Sequence, residues 1–297
     1  MTDAPISRRA FLGVTTAGMA GAALPAGAVA RSSPAPAPPR LIVRGDDMGY
    51  AHSGNEALID CYVNGIESSI EVIAPSPWFP EAARLLAEHS GIDVGVHLAL
   101  TSEWDNVKWR PLTPAPSLRD ADGYFFPMLR PNPSYPRRAL AENAWKLEDV
   151  EREFRTQIEL VKRHVPRVSH LSGHMGCTSL SPDVAAMTKR LGAEYGVGIW
   201  PQELGVLPAS YDGEHATSAE KVKSVLRMLD RLEAGKTYLF VDHPGRDGPE
   251  LRAIHHIGYE QVAVDRQGVT DAWTHPRVRD RVRSRGIQLI GYRDLTR

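Results

Sequence analysis

Cysteine is scarce in this chain: two residues, Cys61 and Cys177, among 297. That excludes a small domain stapled by disulfides. For these two it leaves open one bridge in an oxidising compartment or two unpaired thiols. Charge of one sign is missing as well. Lys and Arg number 35 against 36 Asp and Glu, a formal net charge of -1. No broad field therefore draws the chain to nucleic acid or to an acidic membrane surface. The Ala/Gly-rich stretch over residues 13–27 is too short and too weakly apolar for a good membrane anchor. No Gly-x-Gly-x-x-Gly follows the first strand-like run, so dinucleotide binding has no support. No internal repeat is visible.

What is present suits one globular domain or two small ones. The chain is 42% hydrophobic and 24% charged, enough to bury a core without disulfide or metal staples. Its 23 Pro and 25 Gly indicate a loop-rich protein and argue against a helical bundle. The 11 His invite inspection, because clustered imidazoles and carboxylates bind metals.

The N-terminus reads as an address. Ser7-Arg8-Arg9-Ala10-Phe11-Leu12 is a twin-arginine pattern, the Ala/Gly-rich stretch follows, and Ala28-Val29-Ala30 is a small-x-small cleavage site. Together they predict a signal peptide over residues 1–30 and export to the periplasm or beyond. Residues 31–39, rich in Ser, Pro and Ala, predict an extended linker, and a single folded domain is expected over 40–297.

Beyond the linker, strand-like and helical patterns alternate. Leu41-Ile42-Val43 is a short apolar run leading into Gly45-Asp46-Asp47. Strands are expected also at 69–74, 92–100, 168–171, 196–200, 238–241 and 287–291. Helices are expected at 55–62, 80–89, 148–165, 181–194, 218–232 and 275–286. The clearest of them places Val150, Phe154, Ile158 and Val161 on one face. Residues 104–136, rich in Pro, Trp and Tyr and without period, predict a long excursion over one face. The alternation predicts an α/β protein with a mostly parallel sheet. Several strands end in ionisable residues, as catalytic strands of parallel barrels do. An irregular (β/α) barrel is therefore expected.

The chemistry-bearing residues sit at those strand ends. Asp46 and Asp47 are adjacent carboxylates, costly to bury unless a cation stabilises them. In extended backbone neighbouring side chains point apart, so one Asp is expected at a metal and the other facing the substrate. His97 interrupts the apolar run Gly95-Val96-His97-Leu98. His170 and His174 lie in Ser169-His170-Leu171-Ser172-Gly173-His174, where a strand-end loop could aim both imidazoles at one pocket. His243 occupies another strand-to-loop turn, and its side chain suits proton transfer near neutral pH. One carboxylate with two imidazoles leaves coordination positions open, as a catalytic metal site requires. Zinc is the first choice for such donors, with magnesium second. Trp104, Trp109 and Tyr124 are candidates for apolar contact with a sugar ring.

Taken together, the segments resemble the YdjC/ChbG-like carbohydrate deacetylases, relatives of the polysaccharide deacetylases. The matching pieces are Gly45-Asp46-Asp47-Met48-Gly49, Gly95-Val96-His97-Leu98, the His170–His174 segment, His243-Pro244-Gly245 and the ending from Gly286 to Leu295. The resemblance implies an irregular (β/α) barrel of the glycoside hydrolase/deacetylase type and hydrolysis of an N-acetyl group on an amino sugar or oligosaccharide. It implies Asp47, His97 and His174 as metal ligands, Asp46 as general base, His243 as general acid, and His170 as a pocket residue beside the metal. The third motif departs from the family's His-x-Asp-x-His-x-His: Ser172 replaces the Asp and Gly176 the last His. That departure bears on the substrate more than on the chemistry. A metal-dependent esterase, another hydrolase on the same fold, or a non-catalytic carbohydrate-binding relative are the competing readings.

Overall fold

The computed structural model describes residues 37–165 and 167–296. The expected signal peptide, and the linker up to residue 36, lie outside them. Seven strands are found among the described residues: β1 (Arg40–Met48), β2 (Ser69–Val72), β3 (Asp93–Leu98), β4 (Val168–Gly173), β5 (Leu207–Ala209), β6 (Thr237–Asp242) and β7 (Gln288–Leu289). Between and after them run helices α1 (His52–Asn64), α2 (Phe79–Glu88), α3 (Leu147–His164), α4 (Pro182–Tyr195), α5 (Ser218–Arg231), α6 (Pro249–Ala253), α7 (Val262–Thr274) and α8 (Pro276–Ser284).

All the ladders are parallel, in the order β4-β3-β2-β1-β6-β5, with β7 also on β1. Parallel sheets bury both faces, and β1 obeys: Leu41, Ile42 and Val43 are fully buried. One side of β1 pairs with β6 from Arg40↔Thr237 to Gly45↔Asp242. β7 pairs at Arg40 and Leu41, β2 from Arg44 to Met48. No ladder joins β4 to β5 among the described residues, so the expected barrel is irregular by being open there. The common strand direction gathers the C-terminal ends of β1, β3, β4 and β6 at one edge, where the ionisable residues lie.

The helices follow their sequence signals. α3 buries Val150, Phe154, Ile158 and Val161, carries Glu148 and Asp149 in its first turn and Lys162, Arg163 and His164 in its last. That charge order complements the helix dipole. One expected strand is absent. Residues 196–200 form no strand, because Gly196 is spent as the left-handed cap of α4 at φ 67° and Val197 donates its N–H to Gly192 O. The close approach of Gly198 to Gly192 leaves about 3.0 Å for an added side-chain carbon. The strand role passes to Leu207–Ala209. Cys61 and Cys177 are both buried and free, which settles the choice between a bridge and two thiols.

Candidate active site

The site is built from the sheet edge outward. β1 delivers Arg44, Asp46 and Asp47, β3 delivers His97, and the turn after β4 delivers His174. Regular alternation would send Asp46 and Asp47 to opposite faces. It does not, because Asp47 has φ 71°. Left-handed backbone in a non-glycine residue costs on the order of 1–3 kcal/mol and concentrates at functional sites. The turn swings both carboxylates into one cleft. His97 Nε2 lies 3.5 Å from Asp47 Oδ1 and 3.7 Å from Asp46 Oδ2. The expected divergence of the two aspartates is thus replaced by convergence. Met175, just after His174, is left-handed as well, at φ 49°.

Asp47, His97 and His174 are all buried, and one donor atom from each lies within 4.8 Å of the others. Asp47 Oδ1 is 3.0 Å from His174 Nδ1 and 3.5 Å from His97 Nε2. Tetrahedral zinc with bonds of about 2.0–2.1 Å sets its donors about 3.3 Å apart. The trio therefore fits a divalent ion in spacing as well as in donor type. The outer ring nitrogens are tied: His97 Nδ1 to Ser172 Oγ at 2.7 Å, His174 Nε2 to Glu103 Oε2 at 2.8 Å. Metal-ligating imidazoles are oriented by such partners.

Burial opposes charge on His174, but the Glu103 and Asp47 carboxylates more than offset it and raise its pKa to about 10. Burial alone would raise Asp47, yet His174 and His243 hold it well below the usual carboxylate range. Arg266 on α7 donates from Nη2 to Asp47 Oδ2 at 2.9 Å, its guanidinium centred 4.5 Å from the Tyr50 ring and 5.1 Å from that of Trp104. Asp46 is gripped in a fork by Arg44, Nε to Oδ1 at 2.7 Å and Nη2 to Oδ2 at 2.8 Å. Arg44 Nη1 in turn reaches the Tyr292 hydroxyl at 2.9 Å.

His243 is the open member of the group, its side chain 39% exposed. Its Nε2 stands 3.8 Å from Asp47 Oδ2 and its Nδ1 3.6 Å from Asp242 Oδ1. Burial pushes its pKa down, but Asp47 and Asp242 outweigh that and raise it. The cleft above these groups has a volume of about 490 Å³, and Trp104, His256 and Tyr259 form an aromatic wall on it. The groups present can hold a divalent ion, accept a proton beside it at Asp46, and give one from His243.

Six of the nine residues singled out in the sequence meet at this cleft: Asp46, Asp47, His97, Trp104, His174 and His243. Three do not. His170 lies inside β4, fully buried, bonded to Glu71 and stacked on Tyr292 at 3.5 Å. β4 continues as strand through Gly173, so no loop turns His170 toward the pocket. Trp109 packs in the main hydrophobic core, its ring 6.3 Å from that of His174, and backs the site from below the cleft surface. Tyr124 carries Arg110 over its ring at 4.1 Å and is likewise not on the cleft. Sequence reasoning missed Arg44, Glu71, Glu103 and Arg266. Only Arg44 left a plain signal, two residues before Asp46 and so on the same strand face.

The fold has solved counterparts. A candidate cellobiose-phosphate cleavage protein of Enterococcus faecalis superposes with a TM-score of 0.69 at 21% identity, over 87% of this chain and 99% of that one. Among curated proteins, a carbohydrate deacetylase of Geobacillus stearothermophilus is 27% identical over 269 residues, 86% of this chain and 98% of the relative. A carbohydrate deacetylase of Thermus thermophilus is 36% identical over 155 residues, about half of each chain at 52% and 50%. The family model for YdjC-like proteins spans residues 40–284, from the first residue of β1 to the last of α8, and the chain belongs to that family.

Proposed function

We propose that this chain is a metal-dependent hydrolase that removes N-acetyl groups from an amino sugar or oligosaccharide. The observation that carries the reading is the buried trio of Asp47, His97 and His174, with Asp46 3.7 Å from the same His97 nitrogen. The names of the curated relatives, carbohydrate deacetylases, supply the substrate class.

Asp47, His97 and His174 would hold the ion, and one carboxylate with two imidazoles favours zinc. When bound, the ion supplies Lewis acidity toward the acetyl carbonyl and the charge that develops on its oxygen. The rest falls to the chain. Asp46, its carboxylate plane fixed by Arg44, accepts the proton of the attacking water. His243, with its raised pKa and its place at the open side of the cleft, holds a proton for the departing amine. Asp242 orients it, and Tyr211 donates to Asp242 Oδ2 at 2.6 Å. Trp104, one of the three aromatic residues expected in that role, takes the sugar face together with His256 and Tyr259.

Acetate release from N-acetylated and O-acetylated sugars, with and without chelator, tests this. The expected result is release from an N-acetyl sugar that chelator stops and zinc restores. His97→Ala should weaken metal binding by more than the ~10–100-fold typical of outer-sphere changes. Turnover insensitive to chelator and to His97→Ala, or release from esters alone, would overturn the proposal.

We further propose that the protein is exported by the twin-arginine route, on the sequence of its first 30 residues. Replacing Arg8 and Arg9 together by Lys should leave the protein in the cytoplasm. Normal processing of that variant would sink the idea.

A further inference from the structure

We propose that Glu71, acting through the hydroxyl of Ser172, fixes which ring nitrogen His97 presents to the metal position. This rests on the metal reading above, and it concerns two residues that do not line the cleft. Glu71 is fully buried on β2. The sheet register sets Glu71, Gly95 and His170 side by side across β2, β3 and β4, and sets His97 beside Ser172. The glycine makes the meeting possible: a side-chain carbon at Gly95 would fall 2.3 Å from Glu71 Oε2 and 2.5 Å from His170 Nε2. Across that gap Glu71 Oε1 pairs with His170 Nε2, and Oε2 accepts the hydroxyl proton of Ser172.

The direction of those bonds determines the next one. Ser172 has a single hydroxyl proton and gives it to a carboxylate that has none to offer. Its oxygen can therefore only accept from His97 Nδ1, 2.7 Å away. That puts the ring proton on Nδ1 and leaves the Nε2 lone pair facing Asp47 Oδ1 at 3.5 Å. The chain runs Glu71, Ser172, His97, with the charge one residue removed from the ring. The same Glu71 carboxylate is braced from behind, because His170 is clamped against the Tyr292 ring at 3.5 Å and 5°. Glu71 and Ser172 are thus positioning residues, acting through His97.

Ser172→Ala removes the link while leaving Glu71 with its His170 partner, and Ser172→Thr restores a hydroxyl. Two measurements are made on the full chain. Ring 15N spectra of histidine-labelled, chelator-treated protein read the His97 tautomer, and competition with a zinc dye reads affinity. The wild type is expected as the Nδ1–H tautomer. Ser172→Ala is expected to lose that preference and to bind zinc about 10–100-fold more weakly, at a melting temperature close to wild type. Ser172→Thr is expected to recover both. An unchanged tautomer in Ser172→Ala overturns the proposal. So does unchanged zinc affinity where the wild type binds zinc. If the wild type takes up no zinc, the metal reading falls, and the ring spectra still decide the role of Ser172.

Discussion

Asp46→Asn is expected to keep its metal and lose about 10²–10⁴-fold in kcat on the best acetylated sugar, the usual worth of a positioned general base. The amide is close to the carboxylate in size and leaves the backbone untouched. It cannot take a proton, and its NH2 group would face the Arg44 fork that now binds both carboxylate oxygens. Asp47→Asn is the contrast. Asp47 Oδ1 sits between His97 and His174, and Oδ2 is held by Arg266, so that variant should fail first in metal affinity. Kinetics at saturating zinc, with metal content measured on the same samples, separate the two. Wild-type kcat in metal-loaded Asp46→Asn would show that Asp46 is not the base, and His243 would be the next proton acceptor to examine. The comparison matters because the two carboxylates share one neighbour: His97 Nε2 is 3.5 Å from one and 3.7 Å from the other. Distance alone does not assign their roles. The partners do, since both oxygens of Asp46 are taken by Arg44 on its own strand, whereas Asp47 Oδ1 faces the two imidazoles and only Oδ2 is held by Arg266.

The strand ends were legible because parallel strands in this fold are buried on both faces and read as apolar runs. An ionisable residue in or just after such a run stands out, and Asp46, Asp47, His97, His174 and His243 were all found that way. The partners of these residues were hidden for a related reason. Arg266 sits among Val262, Val269 and Trp273 on the buried face of α7, and a charge in the stripe breaks the hydrophobic period that would have revealed the helix. The helix was missed and the arginine with it. Glu71 lies in a short strand whose four residues are all buried. Only the register across three strands brings it to His170 and Ser172, and register between distant segments is not written in either one. His170 shows the opposite error. A strand-end loop was expected to aim it at the same pocket as His174, but strand geometry holds through Gly173 and His170 is buried against Glu71 and Tyr292. The left-handed turn at Asp47 had no sequence signal beyond the tolerance of Asp for that conformation, although it determines where both carboxylates go.

Removing Arg266 is expected to destabilise the folded protein. Arg266→Met keeps much of the side-chain volume but removes the guanidinium that is bonded to Asp47 Oδ2, and truncating one partner of a buried pair costs about 3–5 kcal/mol. Two cation–π contacts, over Tyr50 at 4.5 Å and Trp104 at 5.1 Å, disappear with it. In chelator the variant is expected to unfold at lower urea by that margin. Zinc should then rescue it more than it helps the wild type. The reason is electrostatic: Arg266 Nη2 lies 2.9 Å from the carboxylate proposed to bind the metal, so it compensates Asp47 and at the same time repels any cation arriving there. Once the guanidinium is gone, the ion meets one positive neighbour fewer at Asp47 and binds the folded state more tightly. Tighter binding to the native state adds directly to its stability. Urea titrations of both proteins, each with chelator and with saturating zinc, give the four free energies needed. A larger zinc increment in Arg266→Met than in wild type is the expected outcome. An equal increment would mean that Arg266 and the metal do not compete for Asp47, and the arginine would then serve to pack against Tyr50 and Trp104.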